Sequence, residues 1–203
     1  MPFSSISSAR LRARPALRSL RAPRSLRGLP AGVLALALAA PLSGLSGLSA
    51  GCASSNLLAE GARPPELTAL DQHGDKQSLG AQKGKPLVVY FYPKDGTPGC
   101  TAEACAFRDA WSKFAEAGVM VFGVSADDVK SKEAFAKEEK LPFPILADPE
   151  HTWAKAFGVG NTLGMDHRVT FLLDRTGAIA KVYPEVDPGI HAGEVLADAK
   201  KLK

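Results

Sequence analysis

Leu87-Val88-Val89-Tyr90-Phe91-Tyr92 runs directly into Pro93-Lys94-Asp95-Gly96-Thr97-Pro98-Gly99-Cys100. After the leading leucine every residue of the first stretch is β-branched or aromatic, the pattern of a strand buried on both faces. Pro, Gly and Asp then occupy turn positions, and the chain resumes as a helix. That helix is predicted over 101–117, where Ala104, Phe107, Trp111 and Phe114 repeat at helical spacing and Gly118 stops it. Outward from there, 119–124 reads as a second buried strand and 130–140 as a charged helix closed by Pro142. Residues 152–157 read as a short helix or turn ended by Gly158. Strands at 169–173 and 179–183 flank Asp174-Arg175-Thr176-Gly177 as a hairpin, and 190–202 makes a last helix. This order predicts an α/β fold, a mixed central sheet flanked by helices on both faces.

The chain has 203 residues, 45% of them apolar, which suits one globular domain with an extension. Its formal charge is +4, from 25 Lys+Arg against 21 Asp+Glu, but the charge is unevenly placed. Arg10, Arg12, Arg14, Arg18, Arg21, Arg24 and Arg27 precede the first carboxylate, Glu60. Without those seven, 18 basic residues face 21 acidic ones, a net of −3. No basic stripe is left to bind nucleic acid, and the aromatics are not interleaved with Lys or Arg as stacking platforms.

Behind the arginines, 31–40 (AGVLALALAA) is densely apolar. It is shorter than the roughly 20 residues of a membrane span and fits the apolar core of a signal peptide. Ser49-Ala50-Gly51-Cys52 follows and resembles a bacterial lipoprotein signal, in which cysteine becomes the acylated N-terminus. Ser49 stands where that pattern favours leucine, and the Arg- and Ser-rich, acid-free start also resembles an organellar transit peptide, as for a chloroplast lumen. The reading is a targeting segment at 1–51, removed in the mature form, a flexible tether at 52–63 and one domain at 64–203. Export to the bacterial envelope, with Cys52 as a membrane anchor outside the chemistry, is expected.

Cys100 sits at the first turn of its helix, where free N–H groups and the positive end of the helix dipole favour the thiolate, the nucleophilic form of cysteine. Thr97 can turn its hydroxyl toward the sulfur or a substrate oxygen, or can simply cap the helix. Cys105 lies five residues on, rotated about 140° and displaced about 7.5 Å along the axis. A disulfide needs Cβ atoms about 3.8 Å apart, so an intact helix does not hold this bridge. The pair is therefore inert or works by unwinding the first turns. His73, His151, His167 and His191 are scattered and read as surface or packing residues. Asp127, Asp128 and 130–140 read as a solvated face.

Pro93-x-x-x-Thr97-x-x-Cys100 resembles the active-site signature of the peroxiredoxins, and the helices and sheet above follow the thioredoxin-like order. The longer pattern, Ala104-Cys105-x-Phe107-Arg108-Asp109 included, is similar to the bacterioferritin comigratory protein/peroxiredoxin Q subfamily. Gly123-Val124-Ser125, Lys140-Leu141-Pro142-Phe143 and His167-Arg168-Val169-Thr170-Phe171 extend the resemblance through the domain. It implies a thiol peroxidase without metal or cofactor, often a monomer. Cys100 would be the peroxidatic cysteine, and Thr97 with the Cys100 N–H would bind peroxide. Arg168 would stabilise the thiolate and the departing oxygen, and Pro93 would shape the loop and shield the site from water. Glu103 would orient an arginine. Cys105 would resolve the sulfenic acid as a Cys100–Cys105 disulfide, reduced by an external thioredoxin-type dithiol. An envelope thiol-disulfide oxidoreductase is opposed by the C-x4-C spacing. A copper-delivery lipoprotein with a C-x-x-x-C pair is opposed by a spacing one residue too long.

Overall fold

The computed structural model describes residues 56–202, and the targeting segment and Cys52 lie outside them. The strands are β1 Thr68–Asp71, β2 Lys76–Ser78, β3 Leu87–Phe91, β4 Met120–Ser125, β5 Ile145–Ala147, β6 Asn161–Thr162, β7 Met165–Asp166, β8 Val169–Leu173 and β9 Ile179–Tyr183. The helices are α1 Pro98–Asp109, α2 Trp111–Glu116, α3 Val129–Glu139, α4 Thr152–Phe157 and α5 His191–Ala199. Seven strands form one sheet in the order β2-β1-β5-β4-β3-β8-β9, and β6 pairs with β7 apart from it. The β3–β4 and β4–β5 pairs are parallel, as helical crossovers require, and the other pairs are antiparallel.

Side-chain alternation along β3 divides the core. Val88, Tyr90 and Tyr92 join Phe107 and Phe114 of α1 and α2, Phe135 of α3 and Val195 of α5 on one face. Val89 and Phe91 join Phe122, Phe171, and Trp153 and Phe157 of α4 on the other. Helices thus cover both faces, as the pattern predicts. Gly123 lies opposite Tyr90 across the β3–β4 ladder. A Cβ there would stand 2.6 Å from the tyrosine ring, so glycine is what admits that ring beneath α1.

Two expectations are corrected. The helix predicted over 101–117 begins earlier, at Pro98, and breaks at Ala110, where φ −92° and ψ −2° leave the helical region. The break seats Phe114 beside Phe107 while Trp111 rests on Phe143. The strands β1, β2 and β5, of four, three and three residues, are too brief to read from alternation.

The second concerns the flexible tether expected at 52–63. Residues 56–63 lie bonded against the domain instead. Leu57 and Leu58 pack on the α4 face of the sheet, and Leu58 N–H donates to Phe157 O at 3.0 Å. Gly61 N–H donates to Ile179 O at 2.7 Å, and Ile179 N–H donates to Ala62 O at 2.8 Å, pairing the segment with the β9 edge. Gly158, at φ +72°, leaves room for this strap: a Cβ there would fall 1.8 Å from Asn56 O.

His191, at the start of α5, is fully buried between Phe107 and Tyr183, with centroid separations of 6.0 and 5.0 Å. Its ring nitrogens lack hydrogen-bond partners, and Glu194 lies 3.6 Å from Nδ1. Burial holds its pKa below the usual histidine value, against the pull of Glu194. The unfolded chain therefore takes up this proton first as pH falls. The stability this contributes is full above about pH 6.5 and is lost as pH drops below it. Comparing urea midpoints of wild type and His191→Phe between pH 7.5 and 5 isolates the effect. The wild type should lose relative stability on acidification; a constant difference between the two would sink the assignment.

Candidate active site

The turn after β3 delivers α1. Thr97 takes an extended backbone (φ −79°, ψ 146°) and Pro98 opens the helix. Proline has no N–H to lose there, and its fixed φ suits the position. The first-turn N–H groups of Gly99 and Cys100 have no earlier helical carbonyl to meet. Cys100, in this first turn, is 1% exposed.

Arg168, just before β8, enters from across the sheet. Its Nη2 donates to Cys100 Sγ at 3.2 Å, and its Nη1 donates to Glu103 Oε2 in a close ion pair. Glu103 stands one turn beyond Cys100 on α1 and is fully buried. One guanidinium thus spans the cysteine and the carboxylate, a geometry that suits the planar fork of arginine. Gly99 leaves it space, since a Cβ there would touch Nη2 at 3.4 Å. Burial pushes the Glu103 carboxyl up to about 7, against the opposing pull of Arg168. Glu103 Oε1, Tyr90 Oη and Thr170 Oγ1 are buried without partners nearby, and Tyr90 and Thr170 face each other across the β3–β8 ladder.

The structure brings Cys100, Arg168 and Glu103 together, with Thr97 at the N-cap position of α1 and Pro93 opening the turn before it. The Thr97 hydroxyl does not point at the sulfur and makes no side-chain cap; it donates to Lys94 O at 3.1 Å. Its lone pairs are therefore free to accept. Pro93 lines a surface concavity with Lys94, Asp127, Leu163 and Met165.

Cys105 lies apart from Cys100, half-buried toward α3, and both are free thiols. Its thiol donates to Glu139 Oε2 at 3.3 Å, and Arg108 Nη1 donates to Glu139 O at 2.8 Å. Burial, reinforced by the Glu139 contact, raises the Cys105 pKa and holds the thiol protonated. Among the described residues no group of three or more His, Cys, Asp or Glu side chains is placed to hold a metal ion.

The solvated face expected at 130–140 requires another correction. Lys132 of α3 is fully buried, behind the active-site loop, in contact with Tyr92, Asp95 and Ser125. Charge alone hid it. Its spacing to Phe135, Ala136 and Glu139, one helical face at i, i+3, i+4 and i+7, was the available signal.

A model of the AhpC/TSA family matches residues 61–182. The chain belongs to that family. Among its peroxiredoxin relatives, the chloroplastic peroxiredoxin Q of Sedum lineare is 46% identical over 147 residues, covering 71% of this chain and 79% of that protein. The putative peroxiredoxin bcp of Coxiella burnetii is 43% identical over 143 residues, covering 67% of this chain and 95% of that one. Crystallographic peroxidoxin BcpB from Mycobacterium tuberculosis superposes with a TM-score of 0.67 at 33% identity, covering 71% of this chain and 97% of that chain. Xanthomonas campestris peroxiredoxin Q gives 0.63 at 37%, covering 66% of this chain and 90% of that one. This peroxiredoxin therefore has the thioredoxin-like fold of its relatives and is a thiol-dependent peroxidase, an antioxidant oxidoreductase.

Proposed function

We propose that the protein reduces hydrogen peroxide and organic hydroperoxides through Cys100, with Cys105 as the resolving thiol and a thioredoxin-type dithiol as reductant. The carrying observation is the Arg168 guanidinium, 3.2 Å from Cys100 Sγ at a helix N-terminus. The Cys100 thiolate attacks the terminal oxygen of the hydroperoxide. An S–O bond forms as the O–O bond breaks, and the departing hydroxide or alkoxide takes up a proton. Arg168 faces that developing charge, the Cys100 N–H binds the peroxide, and Thr97 accepts a hydrogen bond from the hydroperoxide O–H. Glu103 holds Arg168, and Pro93 restricts water. The Cys105 sulfur then attacks the sulfenic sulfur, the S–S bond forms, and the S–O bond breaks to release water with the Cys105 proton. An external dithiol reopens the disulfide. Alkyl hydroperoxides belong in the range because a Xanthomonas campestris relative was described for alkyl peroxide reduction.

The purified protein should consume peroxide continuously with a thioredoxin-type dithiol. Disulfide exchange without peroxide consumption would overturn this reading. Arg168→Met keeps bulk but removes the cation, and should lower the rate constant for peroxide by about 10²–10³-fold. Stopped-flow oxidation checks this, and a loss below about threefold would remove Arg168 from the chemistry.

The relatives include chloroplast-targeted and bacterial proteins. We propose that the leader directs export and ends at an acylated Cys52, tethering a monomeric domain to the bacterial envelope membrane. The intact mass of protein from native membranes tests it: a chain starting elsewhere, as after import into a chloroplast lumen, refutes the anchor.

A further inference from the structure

Asp95 lies between Pro93 and Thr97, and every polar atom of its side chain is held from outside the loop or from the strand before it. Tyr92 Oη donates to Oδ1 at 2.7 Å, Lys132 Nζ donates to Oδ1 at 3.0 Å, and Ser131 Oγ donates to Oδ2 at 2.8 Å. The Asp95 N–H donates to Asp127 Oδ2 at 2.9 Å. Lys132 is the centre of this cluster. Its Nζ also donates to Tyr92 Oη at 2.8 Å and to Ser125 Oγ, sits 4.5 Å from the Tyr92 ring centroid, and faces Asp127 at 3.9 Å. Ser125 Oγ in turn donates to Asp127 Oδ2 at 2.7 Å. An ammonium with no exposed surface is expensive to bury unless such partners surround it.

These contacts end on the loop carrying Thr97 and the first N–H groups of α1. Neither Lys132 nor Asp95 belongs to the set that meets the substrate. We propose that Lys132 is a positioning residue for peroxide reduction: its buried ammonium, through Asp95, holds the turn at 93–97 so that Thr97 and the Cys100 N–H meet the peroxide. α3 thereby serves as the platform against which the peroxide-binding turn is set. Reaction of Cys100 with a reagent that needs no such pocket is independent of Lys132. A displacement of about 1 Å in a site of this kind lowers a rate about 10²-fold.

The test compares two second-order rate constants of the reduced protein, with hydrogen peroxide and with iodoacetamide, at a temperature where a melting curve shows each variant folded. Lys132→Met should slow the peroxide reaction about 10- to 100-fold and change alkylation less than about threefold. Asp95→Asn keeps the size of the group, removes its charge, and should give the same split at smaller size; it serves if Lys132→Met does not fold. A merely structural role would lower the melting temperature without separating the two reactions. Parallel losses in both reactions, or a peroxide rate within about threefold of wild type in the folded variants, overturns the proposal. It rests on Cys100 as the peroxide-reactive residue, and failure of that reading would show separately, as an unreactive wild type.

Discussion

Cys100→Ser should consume no peroxide above the buffer background, a loss on the order of 10⁶-fold or more. The substitution exchanges one atom in a site that is 1% exposed, and Arg168 still finds an acceptor there. The fold should survive, as a melting curve would verify. What disappears is the sulfur nucleophile, and an alcohol, which does not ionise at neutral pH, does not replace it. Oxygen also has no stable counterpart of the sulfenic acid. Peroxide removal by the folded variant above background, followed by electrode or coupled assay, would place the reactive residue elsewhere.

Cys105→Ser should oxidise once and stop. The expected record is a burst of one equivalent of peroxide per chain, a sulfenic acid trapped by dimedone, and no steady state with a thioredoxin-type dithiol until a small thiol is added. The reason is geometric. Five helical steps set the two cysteines about 140° apart around α1 and about 7.5 Å apart along its axis, and a disulfide draws its Cβ atoms to about 3.8 Å. On the proposed cycle, Cys105 would have to leave Glu139, 3.3 Å away on α3, and part of α1 would have to unwind. Oxidised wild type should show less helix by far-ultraviolet circular dichroism than the reduced protein; oxidised Cys105→Ser should not. Normal steady-state turnover by Cys105→Ser with the same dithiol would remove Cys105 from the cycle.

The parts of this molecule readable from sequence are those with local causes. The unbroken apolar run at β3 and the turn residues after it place a cysteine at a helix start without knowledge of the partners. The i+5 spacing of Cys105 already implies that the two sulfurs face apart. The Arg168–Glu103 pair was reached through family resemblance, since nothing near either residue announces a contact 65 positions away. Lys132 is not legible in this way, because a lysine in a charged helix normally faces water, and the groups that make its burial tolerable, Asp95, Tyr92, Ser125 and Asp127, come from other elements. The strap was misread for a similar reason. Leu57 and Leu58 are two leucines in a polar stretch, and what holds them, the end of α4 and the edge of β9, comes from more than 90 residues later.

That strap also sets a path for mechanical load. A pull applied at Asn56 passes through Leu58 to Phe157 and through Gly61 and Ala62 to Ile179. These bonds, and the packing of Leu57 and Leu58, belong to the sheet face covered by α4. Cys100 and its helix belong to the opposite face. Tension from the leader side is thus taken up by the sheet edge and the far layer before it reaches α1. On the proposed cycle and anchor, the helix that would unwind and re-form with each turnover lies on the layer farther from the point at which the domain would be held.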